Sequence, residues 1–306
     1  MAELEPAILA ERLLRLRRTH PFDTFSTGDL SVLAAAGREV TCSGRTLLAA
    51  EGERASAHWV ALTGRLRAFR GGEPLPGEPF EAGFGVLSVV AERPLPCELV
   101  AEPGTVLFVL DADALFETLE ERGRLARAVL REMARSFVAM RHGGAKGEPS
   151  ALTVVPGPSR GPLDLVARML VLRSAMGLRL RNAAVLTRLA RASRVEHLAK
   201  GRSLWPDASV PADLVVVVEG ALDHRPDDAE SPADGGAAVY GLIEALATLP
   251  PERQVLTTAE CTALVVSHNE IQEALEDDDR ICQELIRLAA LELWNAFWKR
   301  HPVPGS

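Results

Sequence analysis

Ser43-Gly44-Arg45-Thr46-Leu47-Leu48, followed by Val60-Ala61-Leu62-Thr63-Gly64-Arg65-Leu66, is the stretch on which the fold turns. Val60, Leu62, Leu66 and Ala68 alternate with Thr63, Arg65 and Arg67, which places apolar groups on one face of extended chain. Glycine punctuates these runs, so the pattern is of short strands in a sandwich or barrel. The same stretch occurs again. Gly44-Arg45-Thr46-Leu47 is answered by Gly201-Arg202-Ser203-Leu204, and Gly64, closing the strand His58 to Thr63, by Gly220, closing Leu214 to Glu219. Gly85 and Pro94 match Gly241 and Pro250, and Leu115-x-Glu117-x-Leu119 matches Ile271-x-Glu273-x-Leu275. The offset stays at 156 or 157 residues from first pair to last. The chain is a duplicated domain.

Working outward, each half opens with a helical pattern, Ala7 to Arg18 and Pro162 to Ser174, with Pro162 suited to a first helical position. Each closes with a longer one, about Glu121 to Met140 and about Asp279 to Trp298. Between the halves, Arg141 to Pro162 is so rich in Gly and Pro that neither a helix nor a strand is expected there. This gives a first domain at 1–140, a linker at 141–162 and a second domain at 163–300. Arg225 to Gly236 reads as a loop within the second half.

Totals narrow the function classes. The 306 residues are 47% hydrophobic and 25% charged, a globular composition with room for two cores. A net charge of −8 argues against a dedicated nucleic-acid binder, whose affinity comes from neutralising phosphates. The arginines near the start (Arg12, Arg15, Arg17, Arg18) and between Arg168 and Arg194 read as solvated helix faces. No apolar run approaches a membrane span, and Met1 to Pro6 lacks the basic start of a signal peptide, so the expected location is cytoplasmic. Cys42, Cys97, Cys261 and Cys282 show no metal-ligand spacing and read as buried thiols. The seven histidines include no i, i+4 pair, and the nearest approach to a catalytic set is His268 beside Cys261. No nucleophile elbow, Walker loop or dinucleotide fingerprint is present. The expectation is no enzyme and no cofactor.

Short strands inside helical brackets, with a Gly-rich turn before a closing helix, resemble the cyclic-nucleotide-binding domain. That family includes catabolite-activator-like regulators and the regulatory subunit of the cyclic-nucleotide-dependent kinase. The opening stretch resembles its aG-x-x-L … V-x-x-G-x-(I/L/V) signature, and Thr105 to Asp111 resembles its last strand. The resemblance covers nearly the whole chain outside the linker. It implies a mainly β fold with α, two tandem β-rolls of jelly-roll type, each bracketed by helices.

The family's phosphate cassette, F-G-E-(L/I)-A-L and then P-R-x-A, is degenerate in the first half. Phe84-Gly85-Val86-Leu87-Ser88-Val89 and Pro94-Leu95-Pro96-Cys97 align without a gap, placing Val86 at the glutamate and Leu95 at the arginine. Losing a charged partner of a buried anion costs about 2–5 kcal/mol, a weakening of roughly 30-fold to several thousand-fold. Arg93, two residues before Leu95, is a possible substitute. In the second half, an ungapped register (Tyr240-Gly241-Leu242-Ile243, Pro250-Pro251) also lacks both anchors. A register shifted by two residues supplies Glu244 and Arg253, so Gly241, Glu244 and Arg253 are the candidate ligand residues.

The last helix carries Leu285, Leu288, Trp294, Phe297 and Trp298 on more than one face and therefore needs more than one cover. Its own roll, the first domain, or a protein partner through an interaction helix could supply it, a homodimer being one form of the last, and a lid over a bound nucleotide is the remaining reading. Only His301 to Ser306 follow that helix, so the helix-turn-helix of the resembling transcription factors is not expected. Two functional readings follow: a non-catalytic regulatory or scaffolding protein acting through an unidentified protein partner, or a small-molecule sensor reading a cyclic nucleotide in the second domain. Neither nucleic acid nor a membrane span is an expected partner.

Overall fold

The computed structural model describes residues 6–18, 22–75, 83–142, 152–156, 163–175, 183–207, 209–223, 236–251 and 254–300. The chain forms two compact units, Met1–Ala128 with Ala289–Ser306, and Val129–Leu288.

In the first unit, helices α1 (Pro6–Leu16) and α2 (Thr27–Ala36) precede strands β1 (Arg38–Cys42), β2 (Thr46–Ala49), β3 (Ala57–Thr63), β4 (Leu66–Arg70) and β5 (Glu73–Pro74). A short helix α3 (Val86–Val90), strands β6 (Glu98–Ala101) and β7 (Thr105–Asp111), and helix α4 (Ala112–Glu121) follow. Helix α5 (Gly123–His142) begins in this unit and ends in the second. The strands form two antiparallel sheets, ordered β1-β7-β3 and β2-β6-β4-β5. Val60, Ala68, Leu107 and Phe108 are buried in this roll. The alternation read for β3 is incomplete, because His58 and Trp59 are both buried as well. Trp59 exchanges backbone hydrogen bonds with Phe84, and the His58 ring lies 6.3 Å from that of Phe22, so the start of β3 is covered on both faces.

The second unit contains β8 (Leu152–Pro156), α6 (Leu165–Ala175), α7 (Ala183–Ala192), β9 (Arg194–Leu198), β10 (Leu214–Glu219), β11 (Gly236–Tyr240), α8 (Leu242–Ala247), β12 (Cys261–Val266) and α9 (His268–Asp277). Helix α10 (Asp279–Arg300) starts here and ends in the first unit. One antiparallel sheet runs β8-β11-β10-β12-β9 over a core that includes Trp205, Val215, Tyr240 and Val265.

The duplication reaches individual pairings. Arg38 faces Val109 in β1-β7, and Arg194 faces Val265 in β9-β12. Leu47↔Val100 and Leu66↔Ala101 in the first unit recur as the isolated bridges Ser203↔Leu256 and Leu222↔Thr257. A Cβ on Gly64 would come within 2.6 Å of Thr105 Cα, and one on Gly220 within 2.7 Å of Cys261 Cα. The same close approach of a strand end to the last strand is built twice.

Two expectations need correction. Leu152–Pro156 lies inside the expected linker and is a strand, paired antiparallel with β11 from Pro156↔Gly236 to Leu152↔Val239. Leu-Thr-Val-Val is a good strand former, and Pro156 is tolerated because β8 is an edge strand. The remaining linker residues from 143 and those of the expected loop up to 235 lie outside the described residues, as does Pro162. Helix α6 starts after Asp164, whose carboxylate accepts the Ala167 N–H at 2.8 Å.

The second correction concerns the arginines. Arg12 is buried and donates from Nη1 to the carbonyls of Ala34 (2.5 Å) and Gly37 (2.6 Å) at the end of α2. Arg168 does the same in the second unit, donating to Ser193 O at 2.7 Å past the end of α7. Both cations sit where the last helical carbonyls lack partners, which binds opening helix to second helix in each unit.

Candidate functional site

Phe84 and the residues after it are held by β3. Gly85 adopts φ +102 as the N-cap of α3, and a Cβ there would overlap the Ala57 carbonyl oxygen and the Trp59 ring. Only glycine satisfies both demands. His58 donates from Nδ1 to the Phe84 carbonyl at 3.0 Å and is fully enclosed, and burial lowers its pKa to about 4. The unfolded chain then takes up this proton first as the pH falls. The contribution to stability is intact above about pH 6.5 and is lost progressively down to about pH 4. Between pH 7 and pH 5 the wild type is expected to lose about 2 kcal/mol more than a His58→Gln variant, measured as the shift in urea midpoint.

After α3 the chain turns through Glu92 (φ +53) into the segment that would carry the arginine. Leu95 donates its N–H to Glu53 O and accepts from Gly52 N, both at 2.7 Å, and its side chain is 1% exposed. Cys97 is buried, and burial together with nearby Glu51, opposed by Arg70, pushes its thiol up to about 12. It is no nucleophile. Val86 is half-buried on α3. The two positions that would carry glutamate and arginine are thus aliphatic, and one of them is sealed in the core. Arg93, two residues before Leu95, lines an open cleft of about 340 Å³ with Gly52, Arg54, Glu92 and Pro94.

The second unit repeats the turn. Gly241 is the N-cap of α8 with φ +78, and a Cβ there would overlap the Asp213 carbonyl oxygen and the Trp205 ring. Glu244, third along α8 as Ser88 is third along α3, is 5% exposed. The end of α8 is held by neighbours: Ala245 O accepts from Gln272 Nε2 and from His268 Nδ1, each at 3.1 Å, and Ala247 O from Arg135 Nε of α5 at 3.4 Å. Burial lowers the His268 pKa, so the imidazole serves as a neutral donor to α8. Cys261 packs instead against Gly220 with its Sγ toward Ala221 O, so the two do not form a catalytic pair. Arg253 lies outside the described residues. No group of three or more His, Cys, Asp or Glu is placed to hold a metal ion among the described residues.

The closing helix α10 is covered by the chain itself over much of its length. Leu285 and Leu288 are buried at 2% and 6% exposure, while Trp294 and Trp298 are half-buried. The Phe297 side chain lies outside the described residues. Within the first unit, Trp294 Nε1 donates to Ser88 Oγ at 3.2 Å, and the Arg70 guanidinium lies 5.3 Å over the Trp298 ring. Sequence reasoning missed Ser88, which stands at the motif's alanine and not at one of its charged anchors, and Arg70, which lies outside the motif. The apolar excess of α10 signalled that a cover was needed, not which surface supplied it. No described helix is long and apolar enough to cross a membrane.

No family model matches the chain, and no curated protein matches it. Solved structures do. The regulatory domain of Toxoplasma gondii PKA, crystallised with cAMP, is 15% identical with a TM-score of 0.35, the match covering 95% of this chain and all of that one. The guanosine-bound regulatory subunit of a cAMP-independent protein kinase A from Trypanosoma cruzi is 13% identical with a TM-score of 0.36, covering 99% and 96%. The sensor domain of the transcriptional regulator DNR from Pseudomonas aeruginosa is 20% identical with a TM-score of 0.31, covering 36% and 80%. The strand pairing and helix order describe a duplicated, mainly antiparallel β fold bracketed by helices.

Proposed function

We propose that this chain is a non-catalytic regulatory or scaffolding protein whose two β-rolls act through protein contacts and not through a bound cyclic nucleotide. The observation that supports the reading is Leu95. At the position that would carry the phosphate-binding arginine, the first roll has a buried leucine fixed by two backbone hydrogen bonds. A phosphate brought there would lose water and gain no countercharge from the side chain at that position. Exposed apolar side chains on the two opening helices, Leu14 at 61% and Val166 at 64%, offer surface for such contacts.

A second reading, a small-molecule sensor in the second unit built on Gly241, Glu244 and Arg253, draws support from the buried carboxylate of Glu244. A buried carboxylate in a ligand-binding fold is placed to accept from a hydroxyl.

Calorimetric titration of the full chain with cyclic mono- and dinucleotides, repeated on Arg253→Ala, separates the two. No heat with any of them is the expected result. Saturable binding overturns the first reading, and its loss in Arg253→Ala assigns the site to the second unit.

A further inference from the structure

We propose that the α3 face of the first roll binds a helix in place of a nucleotide, and that its ligand is the terminal part of this same chain, Ala289–Arg300. The inference deepens the regulatory reading and rests on it. Two contacts of different chemistry carry it, both inside the first unit. The indole N–H of Trp294 is spent on the hydroxyl of Ser88, which is 5% exposed on α3. The ring of Trp298 lies under Arg70 at the end of β4, a cation–π pair. The pair flanks the cassette from two elements, so the roll presents a hydroxyl acceptor and a cation, and the helix presents two indoles spaced i, i+4. That is recognition of an aromatic helix face.

The second unit shows the reciprocal arrangement. Arg135, on the part of α5 that belongs to that unit, donates to the last carbonyl of α8. In each unit, then, the cassette helix meets the closing helix of the other half of the sequence. Anything entering the first roll against α3 competes with the Trp294 indole for Ser88.

The test is amide hydrogen exchange by mass spectrometry on the full chain, comparing wild type with Trp294→Phe, Ser88→Ala and the double variant. Ser88→Ala removes the hydroxyl and little else, while Trp294→Phe removes the indole N–H together with part of the ring's packing. Trp294→Phe is expected to speed exchange in Val86–Val90 about fivefold, and Ser88→Ala to speed exchange in Ala289–Arg300 by a similar factor, the equivalent of about 1 kcal/mol. The double variant should exchange no faster than the faster single, since both remove one interaction. Arg70→Gln, which keeps length and removes the cation, should likewise speed exchange in Ala289–Arg300. Changes confined to the substituted element, or effects that add in the double variant, would overturn the proposal. Nucleotide binding that is lost in Arg253→Ala, and so belongs to the second unit, would overturn the functional reading and leave these exchange results as they are. Binding that survives Arg253→Ala and leaves exchange in Ala289–Arg300 unchanged would overturn the present proposal.

Discussion

Gly241→Ala is expected to destabilise the second unit by about 3 kcal/mol or more, seen as a lower urea midpoint for its unfolding at an unchanged slope. Two costs combine. At φ +78 an alanine occupies the left-handed region, which costs roughly 1–2 kcal/mol for a residue with a Cβ. The added carbon also overlaps the Asp213 carbonyl oxygen and the ring of buried Trp205, and neither can move freely. Trp205 is tied by its indole N–H to that same carbonyl at 2.9 Å. The control is Gly201→Ala, where φ is +82 and nothing lies within 4 Å of the new carbon. It carries the backbone cost alone, roughly 1–2 kcal/mol. Equal losses in the two variants would show that the close approach contributes nothing. Gly85→Ala should behave as Gly241→Ala does, through Ala57 and Trp59 in the first unit.

Restoring the motif's arginine with Leu95→Arg should create no nucleotide affinity and should instead destabilise the first roll by roughly 3 kcal/mol or more. The leucine is 1% exposed, so the guanidinium enters a site with no room and no countercharge supplied by Val86. Adding Val86→Glu to the same chain should recover part of the loss, because it offers the buried cation a carboxylate nearby. The readouts are the thermal midpoint and calorimetric titration with cyclic nucleotides. A Leu95→Arg variant that is as stable as wild type and binds one of them would show that the cassette lacks only its charged side chains.

Much of the fold was legible because duplication leaves a fixed offset. The spacing that joins Gly85 to Gly241 also joins α2 to α7, β1 to β9 and α4 to α9. Glycine carried this signal for a physical reason: where backbone meets backbone, no other residue fits, so its position survives changes elsewhere. That aliphatic side chains stand at Val86 and Leu95, where the motif would have glutamate and arginine, was equally legible, being a matter of residue type at one position each. The strand Leu152–Pro156 was hidden because its neighbours in sequence are Gly and Pro, while its β11 partner lies some 80 residues on. Periodicity reports a residue's neighbours on its own element and is silent about distant partners. Arg12 and Arg168 were misread for the same reason. On a helical wheel they are exposed charges, and only the adjacent end of α2 or α7 turns them into caps.

By itself, then, the sequence determined the duplicated roll, its turns and the missing charges of its first cassette, since each depends on local conformation or on residue type at one position. Tertiary structure alone decided where the closing helices go. Trp294 and Trp298 demand cover, but burial of apolar surface is non-directional and can be met by any complementary face. The hydroxyl of Ser88 and the cation of Arg70 make that choice, and they stand 206 and 228 residues away along the chain.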